Sequence, residues 1–195
     1  MKLALFGGSF NPIHIAHLII AERVVDALQV DRLLFMPCSI PALKSGEQMA
    51  EVAHRLNMVR RAIAGNPRFR VSELELRRGG KSYTVETLRV LKKKYRLERE
   101  DLFLVIGGDN LADFVQWRDP EEISRLCRVA VADRPESDYT GRIPPYLTDV
   151  VRIDTPLMAV SSTDIRKRLR EGRSIRYLVP STVERYIRLQ QLYLG

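Results

Sequence analysis

The chain has 195 residues, 45% hydrophobic and 29% charged, a composition that supports a full-sized core in one globular domain and excludes disorder. Lys and Arg number 32 against 24 Asp and Glu, a formal charge of +8 that suits anionic ligands, whether nucleotides or nucleic acid, without specifying a fold. Cys38 and Cys127 show no metal or redox spacing, the apolar run in MKLALFGG is too short for a signal-peptide core, and no stretch approaches the roughly 18 apolar residues of a membrane span, so a cytoplasmic protein with reduced thiols and no membrane partner is expected.

In chain order, LALF (3–6) reads as a strand and HLIIAERVVDAL as a helix opening near His17, with Leu18, Ala21, Val25 and Leu28 on one face. RLLFM (32–36) is a second strand, PCSIPALKSGEQ (37–48) a loop, and HRLNMVRRAIA (54–64) a helix. FRVSELEL (69–76) alternates as a strand does, and VETLRVLKKKY (85–95) follows as a helix. LFLVI (102–106), RVAVA (128–132) and VVRI (150–153) complete the strands, with a Pro/Gly-bearing loop at 134–148. TDIRKRLREG and STVERYIRLQQLY close the chain as helices. This alternation predicts an α/β fold: a Rossmann-like, doubly wound parallel sheet with helices on both faces and a helical C-terminal end, in one domain over 1–195 whose helical portion begins near 160. Ligands of such sheets sit beyond the carboxyl ends of the strands, where the first glycine pair falls.

GGSFNPIHIAH (7–17) carries the first chemistry. Gly7 and Gly8 are either a plain turn or a place where backbone N–H groups approach a phosphate with no Cβ in the way. Pro12 stiffens the loop, and a helix N-terminus beyond it favours anions. A zinc site would need three or four converging ligands, and His54 is the only histidine besides His14 and His17, so donors to phosphate oxygens explain this pair better than a protein-held metal. RGGKS (78–82) mimics the end of a P-loop, but the first glycine of GxxxxGKS would fall on Glu75, the wrong charge for a phosphate cradle. In VSSTDIRKRLREG (160–172), Ser161 and Asp164 have a helix-capping spacing, Ser162 and Thr163 add hydroxyls, and Arg166 shares a face with Ser162. That stretch is either an ordinary capped helix or a convergence of hydroxyl, dipole and guanidinium on one phosphate.

Together, GGSFNPIHIAH and VSSTDIR resemble the two signatures of the nucleotidylyltransferase superfamily. SYTVETL (82–88), IGGDNLADFVQW (106–117) and SIRYLVPSTVERYI (174–187) narrow the resemblance to the bacterial nicotinate-nucleotide adenylyltransferase family, in the right order over nearly the whole chain. Ala16 stands where that family often has glycine, and Ala42 and Leu43 replace the Pro and His of its Pro-Pro-His-Lys loop ending, leaving Pro41 and Lys44. The resemblance implies transfer of AMP from ATP to nicotinate mononucleotide, giving deamido-NAD and pyrophosphate. It implies His14, His17, Lys44 and Arg166 as catalytic residues, and Gly7, Gly8, Ser9, Phe10, His17, Gly107, Asp109, Ser161, Ser162, Thr163 and Arg166 as the ATP site. Lys44, Tyr83, Thr84 and Trp117 would meet the acceptor, and Mg²⁺ would ride mainly on ATP phosphate oxygens. Asp109 otherwise reads as a helix cap and Trp117 as core. Nicotinamide mononucleotide or phosphopantetheine remain rival acceptors, and a homo-oligomer is left open. An RNA-binding module is the rival of another class, but VLKKKYRLERED mixes both charge signs and lacks the basic-aromatic pattern, so no nucleic-acid partner is expected.

Overall fold

The computed structural model describes residues 1–41, 49–133, 143–156 and 158–194, without the side chains of Ile40, Pro41, Asp109, Ala112 and Asp133. Its strands are β1 (Leu3–Gly8), β2 (Arg32–Pro37), β3 (Ile40–Pro41), β4 (Phe69–Val71), β5 (Lys81–Ser82), β6 (Leu102–Gly107), β7 (Arg128–Asp133) and β8 (Val151–Asp154). The helices are α1 (Ile15–Leu28), α2 (Val52–Ala62), α3 (Leu74–Arg78), α4 (Thr84–Tyr95), α5 (Gly108–Ala112), α6 (Pro120–Leu126), α7 (Ser162–Arg170) and α8 (Ser181–Leu189). Six strands form one parallel sheet in the order β4-β2-β1-β6-β7-β8, while β3 and β5 pair separately.

Period-two alternation along these strands sorts their side chains into two cores. On β1, Ala4 and Phe6 enter one cluster with α1 (Ala21, Val24, Val25), α2 (Met58, Val59), α7 (Ile165) and α8 (Val183, Ile187). Leu3 and Leu5 enter the other, with α4 (Val85, Leu88, Leu91), Leu111, Phe114 and Ile123. Helices therefore cover both faces, as a parallel sheet buried on both sides requires. The chain winds outward from β1 through β2 to β4, then returns to the other side of β1 at β6, so the strand order reverses between β1 and β6. Pairing of β1 with β2 runs on to Gly8–Pro37, whereas pairing with β6 stops at Phe6–Val105. A crevice opens at that carboxyl edge, the position where ligands of doubly wound sheets bind.

Two local expectations change and one holds. Helix α1 begins at Ile15 rather than near His17, because Leu178 O accepts the Ile15 N–H at 3.0 Å and secures an extra half-turn. The stretch 69–76 is not one strand: Ser72 N–H donates to Phe35 O at 2.9 Å, and the Ser72 hydroxyl then accepts the Leu74 N–H at 3.3 Å, starting α3. Alternation alone cannot show that a serine turns the chain there. RGGKS is no phosphate loop, since Gly79 and Gly80 lie at φ 70° and 66° in a turn from α3 to β5, and Glu75 is buried, accepting from Thr87 Oγ1 at 2.8 Å.

Candidate active site

The loop after β1 is built around close contacts. A Cβ on Gly8 would come within 3.1 Å of the Phe10 ring, closer than side chains ordinarily pack, whereas Gly7 faces open space. Phe10 is buried with φ 46° and stands edge-on to Phe6 and to His17, at centroid distances of 5.8 and 5.1 Å. His14 is the residue preceding the first turn of α1, and its backbone N–H donates to His17 Nδ1 at 3.2 Å. A neutral imidazole that accepts at Nδ1 carries its proton on Nε2, so this bond fixes His17 as an Nε2–H donor. Burial, and secondarily the neighbouring His14, hold the His17 pKa well below the ordinary 6.5. Burial lowers that of His14 to about 4. The two rings stack at 3.7 Å, and the buried His14 Nδ1 has no hydrogen-bond partner among the described residues. Two neutral rings thus stand at the positive end of a helix dipole beside the glycine loop.

The C-terminal motif docks onto the same loop. Ser162 Oγ donates to Pro12 O at 2.9 Å, and Arg166 donates from Nη1 to Asn11 O at 2.8 Å and from Nη2 to Thr163 Oγ1 at 3.3 Å. Arg166 is buried, so its guanidinium holds the loop as well as standing beside it. Ser161 caps α7, accepting the Asp164 N–H at 3.1 Å, while the Asp164 carboxylate pairs with Arg168. Asn11 Oδ1 accepts from Ala50 N–H at 3.1 Å and from Tyr193 OH at 2.8 Å, so chain segments from residues 11, 50, 166 and 193 meet here.

Sequence reasoning did not find Arg55, Asn11 or Tyr193. Arg55 is 1% exposed and donates to four carbonyls: Ala50 from Nε at 3.1 Å, Ser9 and Cys38 from Nη1 at 2.9 and 2.8 Å, and Ser39 from Nη2 at 3.1 Å. Its position in the sequence carried a signal, since Arg55, Met58 and Val59 recur at i, i+3 and i+4, which places a charge on the apolar stripe of α2.

Of the residues expected to meet the acceptor, Tyr83 precedes α4, Thr84 is its first residue, and the Arg118 guanidinium lies 4.7 Å over the Tyr83 ring. Trp117 stacks on Phe114 at 5.1 Å, and its buried Nε1 has no partner among the described residues. Both Tyr83 and Trp117 pack against the second core cluster. Ser39 N–H donates to Ser82 Oγ at 3.3 Å and Cys38 N–H to Gly8 O at 3.0 Å, so Ser82, the neighbour of Tyr83, connects through residues 38–39 to the glycine loop. Gly107 ends β6 beside the crevice and precedes α5. Lys44, Ala42 and Leu43 lie outside the described residues, as does the Asp109 side chain. Among the described residues no three His, Cys, Asp or Glu side chains converge as a metal cage, and no helix is long and apolar enough to cross a membrane.

Comparison with known proteins places this geometry among relatives. The family description "cytidylyltransferase-like" matches residues 5–168. A Salinibacter ruber protein named "probable nicotinate-nucleotide adenylyltransferase" is 44% identical over 193 residues, 99% of this chain and 98% of its own length. A Thermomicrobium roseum protein of the same name is 41% identical, with 98% and 91% covered. Among solved structures, Plasmodium falciparum nicotinic acid mononucleotide adenylyltransferase complexed with NaAD superposes with a TM-score of 0.82 over 98% of this chain and 97% of that one. Its sequence identity is 19%, so the likeness is one of fold.

Proposed function

The chain belongs to the cytidylyltransferase-like family, among the nicotinate-nucleotide adenylyltransferases, and on that premise we propose that it transfers AMP from ATP to the 5′-phosphate of nicotinate mononucleotide, releasing pyrophosphate and forming deamido-NAD. One observation carries the chemistry: the His14 N–H to His17 Nδ1 bond, which makes His17 a preset Nε2–H donor where α1 meets the glycine loop. The acceptor phosphate is already ionised near neutral pH, so the reaction needs neither a general base nor a covalent nucleophile. Alignment of the two phosphates and stabilisation of charge on the leaving pyrophosphate supply the catalysis.

In this reading Gly7, Gly8, Ser9 and Phe10 line the α-phosphate and nucleoside, and His14 and His17 donate to phosphate oxygens as charge builds. Burial keeps both rings neutral in the free protein, and Arg166 and Lys44 supply fixed positive charge. Ser161, Ser162 and Thr163 present hydroxyls and the α7 N-terminus to the outer phosphates, and Arg166 meets those phosphates from a position fixed by Asn11 and Thr163. Gly107 and Asp109 take the ATP ribose. Tyr83, Thr84 and Trp117 receive the pyridine ring. Mg²⁺ would be carried mainly by the ATP phosphate oxygens, where it would supply charge neutralisation. We infer further that residues 1–195 work as a single catalytic domain in the cytoplasm, on nucleotide substrates rather than nucleic acid, with self-association into a homo-oligomer open to measurement by sedimentation. The test of function is pyrophosphate release from Mg-ATP with a panel of phosphorylated acceptors. Nicotinate mononucleotide should be used best, and turnover confined to phosphopantetheine would overturn the assignment.

A further inference from the structure

Arg55 is the largest fully buried side chain, and no carboxylate among the described residues pairs with it. A buried guanidinium is costly unless its donors are satisfied, and here they are satisfied by backbone carbonyls from separate loops. Ser9 belongs to the loop beside the crevice. Cys38 and Ser39 belong to the segment that leaves β2 and reaches the acceptor side through Ser82, and Ala50 closes the same excursion just before α2. In a trans peptide the C=O and the following N–H point in opposite directions. Drawing Ser9 O onto Arg55 therefore turns the Phe10 N–H away from it. The Cys38 carbonyl acts in the same way on the Ser39 N–H, which donates to Ser82.

We propose that Arg55 is a positioning residue for adenylyl transfer: its planar fork holds the ATP-side loop at Ser9 and the acceptor-side segment at Cys38–Ser39 in one rigid frame, setting the alignment of the two reacting phosphates. The role rests on the adenylyltransferase reading above. Its site is the one Ser9 and Phe10 line, yet Arg55 lies behind their backbone and touches neither reacting group through its four bonds. A flexible lysine keeps the charge but cannot span four carbonyls held in a fixed fork geometry. The two substrates would then still bind singly, in a frame that no longer aligns them, and misplacement by about 1 Å costs on the order of 10²-fold in rate.

The experiment compares wild type with Arg55→Lys and Arg55→Gln, measuring kcat per folded molecule and the Kd for ATP alone. The expected result is a fall in kcat of roughly 10- to 100-fold with ATP affinity within about threefold. A structural role alone would lower the folded fraction and leave kcat per folded molecule unchanged, which overturns the proposal, as does a loss of ATP affinity matching the loss of kcat. Should neither variant fold, hydrogen exchange on the wild-type protein decides. Addition of ATP alone should slow amide exchange at residues 38–39 along with 8–11, and protection confined to 8–17 refutes a shared frame. Wild type inactive on nicotinate mononucleotide would overturn the functional reading, whereas the ATP exchange result bears on the frame alone, so the two failures are distinguishable.

Discussion

His17 accepts a backbone bond at Nδ1, and in the proposed reaction it would donate from Nε2; amide side chains can separate the two. Asparagine places an acceptor near the Nδ1 position, and glutamine places a donor near Nε2. His17→Asn should therefore keep the bond from the His14 N–H, which measures 3.2 Å in the native protein, and lose the outward donor. One preorganised donor to developing charge is worth about 10²–10³ in kcat, so His17→Asn should fall by that factor while unfolding at a higher temperature than His17→Gln. His17→Gln should show the reverse. It leaves the part-buried His14 N–H without its acceptor, a loss of roughly 1–3 kcal/mol, or about 2–12 °C in Tm for a domain of 150–250 residues. It should nevertheless retain clearly more turnover than His17→Asn. Neither amide reproduces the packing against Phe10 and Phe6, at centroid distances of 5.1 and 6.0 Å, so this lost contact is common to both and cancels in their comparison. Steady-state pyrophosphate release and thermal unfolding of the three proteins provide the assay. Near-native kcat in His17→Asn, or His17→Gln as inactive as His17→Ala, would refute the donor assignment.

Stability should decline in mild acid: His14 is held at about 4 in the folded chain against an ordinary 6.5, so the unfolded chain binds more protons as pH falls below 6.5. Between pH 7.5 and 5 this amounts to about 2 kcal/mol, with His17 acting in the same direction, and urea midpoints unchanged across that range would show that the rings are not held neutral. Trp117→Ala should raise KM for the pyridine mononucleotide by roughly 10-fold or more, the scale of one stacking contact, while leaving KM for ATP nearly unchanged; equal effects on both mark Trp117 as core. Nicotinate mononucleotide should exceed nicotinamide mononucleotide in kcat/KM by at least about tenfold, because the first N–H groups of α4 favour a carboxylate over an amide N–H₂; side-by-side kinetics at saturating Mg-ATP giving equal values would falsify a donor-only pocket.

The sheet was legible from short apolar runs because a strand buried on both faces has few ways to be written. Leu3 and Leu5 against Ala4 and Phe6 show why: all four are apolar, although they serve opposite cores. The motifs at the glycine loop and the start of α7 were legible for a related reason, since Gly8, His17, Ser161 and Ser162 are set apart by a side chain or the lack of one. Short elements were harder. Helix α3 hides in FRVSELEL because a serine hydroxyl overrides alternation, and α6 (Pro120–Leu126) is too brief to establish a period. The two-residue strands β3 and β5 carry no periodic signal at all, yet they pair Ile40 with Lys81 and Pro41 with Ser82, joining the segment after β2 to the start of α4.

Arg55 and Arg166 mark the limit of such reading most sharply. Both are arginines on helices, and both have a buried guanidinium that bonds to the backbone of the glycine loop. Arg166 could be found because Ser161, Ser162 and Thr163 surround it with residue types that favour phosphate. Arg55 has no such company, since its partners are the carbonyls of Ser9, Cys38, Ser39 and Ala50, and every residue type has a carbonyl. A sequence can show that a charge stands on an apolar stripe. It cannot show which backbone will turn inward to meet that charge, because the partners come from loops 5 to 46 residues away whose conformation the fold itself decides. Side chains of types that favour phosphate are thus easier to read than the residues that hold a loop in place through its backbone, and Arg55 belongs to the second group.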